Sequence, residues 1–491
     1  MKMAMKYSRI GFGSSATACL LVLSSCTVGP DYHKPATTMP SGWTRPAPGP
    51  ATLPSMATTR PVELIAWWKS FGDPKLDRLV EEAINSNLGV QQAEARIRQA
   101  RAQRGIDASA AWPDVTANGS YTRAHALTGT GKGANSNLYR AGFDASWEVD
   151  VFGGVRRNVE AADADIVATV EDRRDVLVTL LGDVAATYID MRGLQERIDI
   201  ARQNLATEQH SADLTRLKFE GGFVSGLDPA NAQAQIASTR ATIPVLESLV
   251  RQDIYTLSVL LGKEPGALVD ELEVQKSIPT TPPEVPAGLP SELLRRRPDI
   301  RRAEAQLHAT VARIGVATAD LFPKFSLTGS AGLSANTLKG LSNWDNRSWS
   351  FGPSVSWDIF NAGRVDSNIQ VQEALRDQSM LTYKQTVLIA LKDVESSLVA
   401  YAKEQEHRAA LADAVKANQH ALDLANLLYT NGETDFLNVL TAQRSLLAAQ
   451  DAYSQSTRTA ATNLVSLYKA TGGGWENNAY PTTRATTRPT K

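Results

Sequence analysis

The sequence predicts a mixed fold in which long α-helical hairpins are joined to a small membrane-spanning β-sheet, with four strands per chain. Three observations predict it: a repeat of the sequence, long windows without proline, and segments in which apolar and polar residues alternate. Among the 491 residues, 51 Lys and Arg oppose 52 Asp and Glu, giving a net charge of −1. This balance provides no basic surface for nucleic acid.

The repeat covers most of the chain. Residues 91–120 align without a gap with residues 301–330, an offset of 301 − 91 = 210 residues. The same offset relates further pairs, among them Gly105 and Gly315, Trp147 and Trp357, Gly222 and Gly432, and Gly262 and Gly472. A shared spacing over this span indicates a tandem duplication, which sets the architecture.

The N-terminus predicts export and lipidation. A positively charged start precedes a mostly apolar stretch, and Leu23-Ser24-Ser25-Cys26 resembles the lipobox of bacterial lipoproteins. Residues 1–25 would be a signal peptide, and Cys26 would carry a covalent acyl lipid. We expect no other cofactor, no disulfide and no Cys-based metal site, because Cys19 leaves with the signal. Thr27 in place of Asp favours the outer membrane. An ordinary signal peptide followed by an incidental cysteine is the alternative.

Proline and glycine divide the mature chain into segments. The predicted boundaries are an extended strap at 26–74, a first repeat at 75–262, a linker at 263–290, a second repeat at 291–471 and a disordered tail at 472–491. Between the proline-rich segments, proline-free windows permit very long helices. The predicted helices are 75–111, 155–219, 227–261, 291–321, 364–430 and 436–470.

Each repeat also contains two segments of period two, at 115–121 and 139–150 and at 325–335 and 349–359. Such segments with aromatic residues near their ends are typical of outer-membrane strands, although a soluble half-buried sheet shows the same alternation. Four strands cannot close a barrel, and an open edge in lipid would leave backbone groups unpaired. Other copies of the chain must therefore complete the sheet, giving eight strands from two copies or twelve from three.

The turns of the helical hairpins fall at 221–228 and 431–438. Gly222 and Gly432 suit helix C-termini that require a positive φ. Natural helix N-caps follow each glycine, namely Ser225, Asp228, Thr434 and Asp435.

Several longer motifs resemble the TolC-like outer-membrane factor family, in its OprM/NodT lipoprotein branch. They are residues 26–32 (CTVGPDY), 67–76 (WWKSFGDPKL), 295–304 (RRRPDIRRAE), 319–323 (ADLFP), 357–364 (WDIFNAGR) and 428–446 (LYTNGETDFLNVLTAQRSL). The resemblance implies a homotrimer, with a 12-stranded barrel in the outer membrane and a periplasmic 12-helix tunnel. It also implies an exit duct for an inner-membrane pump of the resistance-nodulation-division type, docked through a periplasmic adaptor.

The resemblance further implies that the hairpin tips form the periplasmic gate and the adaptor contact. The gate candidates are Leu437, Asp435, Arg444, Leu227 and Asp228, and the adaptor-contact candidates are Gly222, Ser225, Gly432 and Thr434. The sequence departs from the family at Thr441, where an Asp is frequent, so Asp435 becomes the nearest candidate for a gating carboxylate. We expect Arg444 to join neighbouring helices through an ion pair. Plain turn chemistry is the alternative for most tip residues.

An enzyme is not expected. The six histidines have no metal-ligand spacing, and Gly129-Thr-Gly-Lys-Gly133 lacks the spacing of a nucleotide-binding loop. Two alternatives remain for the function. One is a soluble periplasmic helical lipoprotein, such as an adaptor or scaffold, and the other is an exit duct for type I secretion.

Overall fold

The computed structural model describes residues 27–36, 40, 42–43, 57–58, 64–127, 133–281, 285–286 and 290–478. The helices are α1 (Pro74–Ser86), α2 (Leu88–Ser109), α3 (Gly154–Glu220), α4 (Leu227–Leu260), α5 (Val269–Leu272), α6 (Pro290–Arg296), α7 (Pro298–Ala319), α8 (Arg364–Asn431) and α9 (Phe436–Ala470). The strands of the main sheet are β1 (Asp114–Leu127), β2 (Gly133–Val149), β3 (Lys324–Ala335) and β4 (Arg347–Ser356).

The chain divides into two compact units. The first contains Ile97–Thr169, Ala303–Tyr383 and the described part of Met1–Ala36. The second contains Val170–Arg302 and the described parts of Thr37–Arg96 and Lys384–Lys491. The long helices α3 and α8 contribute residues to both units. Among the described helices, none combines the length and apolar character that a membrane crossing requires.

The first unit contains the four-stranded antiparallel sheet, in the order β1-β2-β3-β4. Its register places alternate residues on opposite faces: Phe143 pairs with Ala331, which pairs with Trp349. This face is apolar yet exposed, with Trp349 77% and Phe351 71% exposed. The other face carries hydroxyls, and Ser330 and Ser350 form a cross-strand hydrogen bond of 2.8 Å.

In each repeat, one tryptophan connects the end of the strands to the turn that follows the preceding helix. The indole Nε1 of Trp147 donates to the carbonyl of Ala111 at 3.0 Å. The indole of Trp357 donates to the carbonyl of Leu321 at the same distance, 210 residues later. Both bonds join the end of the second strand of a repeat to the turn that precedes the first.

The second unit has a buried aromatic core at the ends of its helices. Trp67 and Trp68 lie in a 3₁₀-helix, Leu64–Phe71, and are 2% and 1% exposed. The ring of Trp67 stacks on Tyr468 of α9, with centroids 5.0 Å apart. The prediction of an extended strap as far as residue 74 is therefore wrong for this segment, because its apolar side chains gain more from burial as a helical turn.

Two predicted helices are interrupted. Residues 75–111 form two helices because Asn87 is extended, and its side chain accepts a hydrogen bond from the amide of Val90 and donates one to the carbonyl of Leu260. Residues 291–321 break at Arg297, since a residue that precedes proline avoids the helical region. Predicted helices 155–219, 227–261, 364–430 and 436–470 are each continuous.

The predicted disordered tail begins too early. The backbone at Gly474 has φ +103, and a 3₁₀-helix follows at Trp475–Asn478. The indole of Trp475 donates to the carbonyl of Arg296, and the guanidinium of Arg174 lies 4.4 Å from its ring centroid. These contacts hold the segment in place, and residues 479–491 lie outside the described residues.

Candidate functional site at the hairpin tips

The two hairpin tips use the same turn. The amide of Gly222 donates to the carbonyl of Phe219, and the amide of Phe223 donates to that of Lys218, both at 2.9 Å. The second tip repeats both bonds at the same offset. This is the Schellman motif, and its central residue requires a positive φ, which is +75° at Gly222 and +79° at Gly432. The predicted backbone role of both glycines is confirmed.

The helices that leave the turns begin differently from the prediction. Gly226, rather than the predicted Ser225, occupies the N-cap position of α4, and the hydroxyl of Ser225 accepts from the first amide of that helix at 3.2 Å. Asp228 lies inside α4 rather than at its cap. Asp435 occupies the cap position of α9 in an extended conformation, but its side chain makes no capping bond. The hydroxyl of Thr434 instead accepts from the side-chain amide of Asn438 at 2.6 Å.

The structure brings together one carboxylate from each tip. Burial raises the pKa of Asp228, and the negative charge of Asp435 raises it further. Two apolar residues are close to them in sequence, Leu227 and Leu437, whose exposed fractions are 65% and 61% in the single chain. Of the five gate candidates, Leu227, Leu437 and Asp435 are exposed in the single chain, and Asp228 is partly buried.

Behind the second tip lies a hydrophobic cluster that draws on all four hairpin helices. Phe436 is 1% exposed, and its ring centroid lies 5.5 Å from that of Tyr429. The other buried members are Ala212, Ala232, Ile236, Leu422, Val439, Leu440 and Leu446. Neither ring was a predicted site residue, and the only sequence signal for them was their position on either side of the turn.

Lys218 joins the two hairpins. Its Nζ donates to the carbonyl of Tyr429 at 2.5 Å and to that of Thr430 at 3.3 Å. It also lies 4.4 Å from the centroid of the Tyr429 ring. A cation at these carbonyls stabilises the C-terminus of α8 through the helix dipole and completes a cation–π pair. Sequence reasoning missed this residue.

Arg444 joins two helices, but through an amide. Its Nε donates to Oε1 of Gln235 at 2.7 Å, so α9 is held to α4. The predicted partner was a carboxylate, whereas the partner within the described residues is the neutral amide of Gln235.

Glu208 is a buried carboxylate of α3, 3% exposed. Its Oε1 accepts from Nε2 of Gln235 and from the hydroxyl of Thr239, both at 2.9 Å. Among the described atoms its Oε2 has no hydrogen-bond partner. Burial therefore raises the pKa of Glu208, although the nearby charge of Arg444 opposes this.

The remaining predicted site residue, Cys26, lies outside the described residues. Within the described ranges, no group of three or more His, Cys, Asp or Glu side chains is arranged to hold a metal ion.

Comparison with known proteins places these features in context. The model of the outer membrane efflux protein family matches residues 79–263 and 289–473. Nodulation protein T of Rhizobium leguminosarum bv. trifolii is 33% identical over 93% of this chain and 96% of its own. Solvent efflux pump outer membrane protein SrpC of Pseudomonas putida is 33% identical over 94% of this chain and 98% of its own. The solved structure of the outer-membrane channel OprN is 36% identical, with a TM-score of 0.84 over 92% of this chain and 100% of that one.

Proposed function

Because the chain belongs to the outer membrane efflux protein family, it serves efflux at the outer membrane, and we propose that it is the passive exit duct of a tripartite pump of the resistance-nodulation-division type. One observation carries this proposal. Each of the two segments that match the family model contributes two strands to a single antiparallel sheet and one long helical hairpin. A wet, polar face on the sheet is the lining that a duct for varied solutes requires.

The duct is a homotrimer. In the described chain, β1 and β4 are the edges of the sheet, and each has one neighbouring strand. Open edges are not stable in lipid, and three copies supply twelve strands around a lumen. The apolar face that includes Trp349 and Phe351 then faces lipid, and the hydroxyl face lines the lumen.

The periplasmic gate lies at the tips. Leu437 and Leu227 narrow the mouth, and Asp435 and Asp228 place negative charge beside them. Docking of the periplasmic adaptor and the pump opens this mouth, with the adaptor contacting the turns at Gly222, Ser225, Gly432 and Thr434. Arg444 lies on the flank of the gate, where its bond to Gln235 holds α9 against α4 in the closed state.

Reconstitution in planar bilayers tests the duct. We expect discrete single-channel conductance from a trimer that separates into monomers on a gel only after heating, and a higher conductance for Leu437→Ala. Lys416→Ala is the matched control, since that side chain lies on α8 and is 79% exposed. If the protein showed neither conductance nor a trimer band that is lost on heating, it would instead be a soluble periplasmic lipoprotein. Co-purification with a type I secretion transporter rather than a resistance-nodulation-division pump would reassign the partner.

Acylation of Cys26 is tested by labelling cells with a radioactive fatty acid. Label in the unaltered chain and none in Cys26→Ser is the expected result, with conductance retained by the variant. Persistent label in Cys26→Ser would contradict the lipobox assignment.

A further inference from the structure

The segment that follows Cys26, residues 27–34 and here called the strap segment, packs tightly onto the first unit. The amide of Val28 donates to the carbonyl of Phe152 at 3.1 Å. The next residue, Gly29, has φ +88, and a Cβ on it would overlap the Cα of Gly315 in α7. A Cβ on Gly315 would in turn lie 2.9 Å from the carbonyl oxygen of Val28. Two glycines are therefore needed for this close backbone contact.

Arg157 of α3 holds the strap segment in place through hydrogen bonds. Its side chain is only 6% exposed, its Nε donates to the carbonyl of Val28 at 3.2 Å, and its Nη2 donates to Asp31 at 2.6 Å. Nη1 donates to Glu160 at 2.8 Å. Burial opposes the charge of Arg157, but its hydrogen bonds to Asp31 and Glu160 raise its pKa. Removal of the strap segment would leave this buried cation short of acceptors, which is strongly unfavourable.

The far end of the strap segment contacts the second repeat. The ring of Tyr32 stacks on His308 of α7 with centroids 4.4 Å apart and an angle of 16° between the planes. Lys34 forms an ion pair of 2.8 Å with Glu304, on the same helix. His308 also contacts Glu160 of α3 at 2.9 Å. The strap segment thus covers the seam where α3 of the first repeat meets α7 of the second.

The repeat supplies a second pair of glycines in the equivalent positions, and the strap segment does not use them. Gly105 corresponds to Gly315, and Gly363 corresponds to Gly153, against which Thr27 packs. Gly363 keeps a positive φ of +80, but no described atom lies within 4 Å of a Cβ built on Gly363 or on Gly105. The strap segment therefore binds only at the seam between α3 and α7. The side chains of Arg157 and His308 hold it there, and the other copy of the repeat lacks both.

We propose that the strap segment is a rigid mount for the lipid anchor, which holds the acyl chains of Cys26 at a fixed position beside the base of the sheet. The proposal rests on the proposed acylation of Cys26. Thr27, joined to Cys26 by one peptide bond, packs on Gly153, where β2 passes into α3. A flexible tether would let the acyl chains sample the membrane around the protein, whereas a mount confines them to one patch of its lipid-facing surface.

Photo-crosslinking of the full-length protein in outer-membrane vesicles tests the mount. Cells are labelled with a photoactivatable palmitate analogue, and crosslinks from Cys26 to the protein's own strand peptides are counted by mass spectrometry. Inserting Gly-Ser-Gly-Ser between Cys26 and Thr27 should lower these crosslinks several-fold. The same insertion between Pro50 and Ala51, beyond the strap segment, is the matched control and should leave them unchanged.

Equal crosslinking in both insertion variants, with normal labelling, would contradict the rigid mount but not the acylation of Cys26. Absence of label in the unaltered chain would overturn the anchor and the mount together. Limited chymotrypsin digestion provides a second measurement: Asp31→Asn should speed cleavage after Tyr32 several-fold, because it removes the carboxylate that binds Arg157. Asp163→Asn, which removes the exposed partner of Arg104, should not. Equal cleavage rates would show that Arg157 does not hold the strap segment.

Discussion

The two hairpin tips adopt the same backbone turn, but only the second is backed by buried aromatic rings. Phe219 and Phe223 at the first tip are 47% and 83% exposed. Tyr429 and Phe436 at the second are 4% and 1% exposed. The duplication preserved the glycine that makes the turn and changed the side chains behind it. A turn motif alone therefore does not determine how firmly a tip is held.

The largest expected effect is the loss of the ring that anchors the second tip. Phe436→Ala should destabilise the start of α9 by about 3–5 kcal/mol, because it leaves a cavity among buried side chains. Hydrogen exchange measured by mass spectrometry over the first turns of α9 is the readout. The neighbouring variant Leu437→Ala removes an exposed side chain and should change exchange by less than about 0.5 kcal/mol. Similar effects of both variants would contradict the difference between the tips.

Next in size is the link between the hairpins. Lys218→Met keeps the aliphatic stem and loses the charge at the end of α8, which we expect to cost about 1–2 kcal/mol. Exchange should quicken in the last turn of α8, and single-channel conductance should rise as the second tip loosens. The control is Lys416→Met, which changes an exposed lysine of α8. Unchanged exchange near Tyr429 would show that the contact does not stabilise the tip.

The turns themselves should behave alike. Gly222→Ala and Gly432→Ala each force a left-handed backbone on alanine, at a cost of about 1 kcal/mol in either tip. Gly226→Ala is a control within the first tip, because Gly226 has φ −63 and a Cβ there would make an ordinary contact with Phe219. Thermal melting of the detergent-solubilised protein compares all three. Unequal costs at Gly222 and Gly432 would mean that the side chains behind the tips also strain the turns.

The smallest effect concerns Glu208, whose counterpart in the second repeat is the neutral Asn418. Burial raises the pKa of Glu208 in the folded state, so its contribution to stability is present below the unfolded pKa of about 4.3 and is lost as the pH rises through the folded value. Glu208→Gln should therefore raise the melting temperature at pH 7.5 and leave it unchanged near pH 4. Glu247→Gln, in an exposed ion pair, should show no such gain. A loss of stability at pH 7.5 would contradict the assignment.

The strands and the long helices could be predicted because their signals are local. Alternation located all four strands, and the absence of proline located α3 and α8 to within about a residue at each end. The same reasoning failed at Asn87, where a side chain bonds to the backbone, and at Trp475, where the contacts with Arg174 and Arg296 outweigh the composition of the tail.

At the candidate site, glycine requirements were predictable and side-chain partners were not. Gly222 and Gly432 follow from turn chemistry within a few residues. Lys218 and Tyr429 lie 211 residues apart, so their contact depends on how two hairpins pack. A link between helices is predictable for Arg444, but its partner, Gln235, lies 209 residues away in sequence and depends on how α9 packs against α4.

The two tryptophan-to-carbonyl bonds have a consequence for how this protein can vary. Each bond, from Trp147 to Ala111 and from Trp357 to Leu321, closes an excursion of 36 residues at its base. Residues can be added or removed at the outer end of either excursion while the base stays closed. The outer ends of the two excursions can therefore change in length while the helices at their base keep their positions.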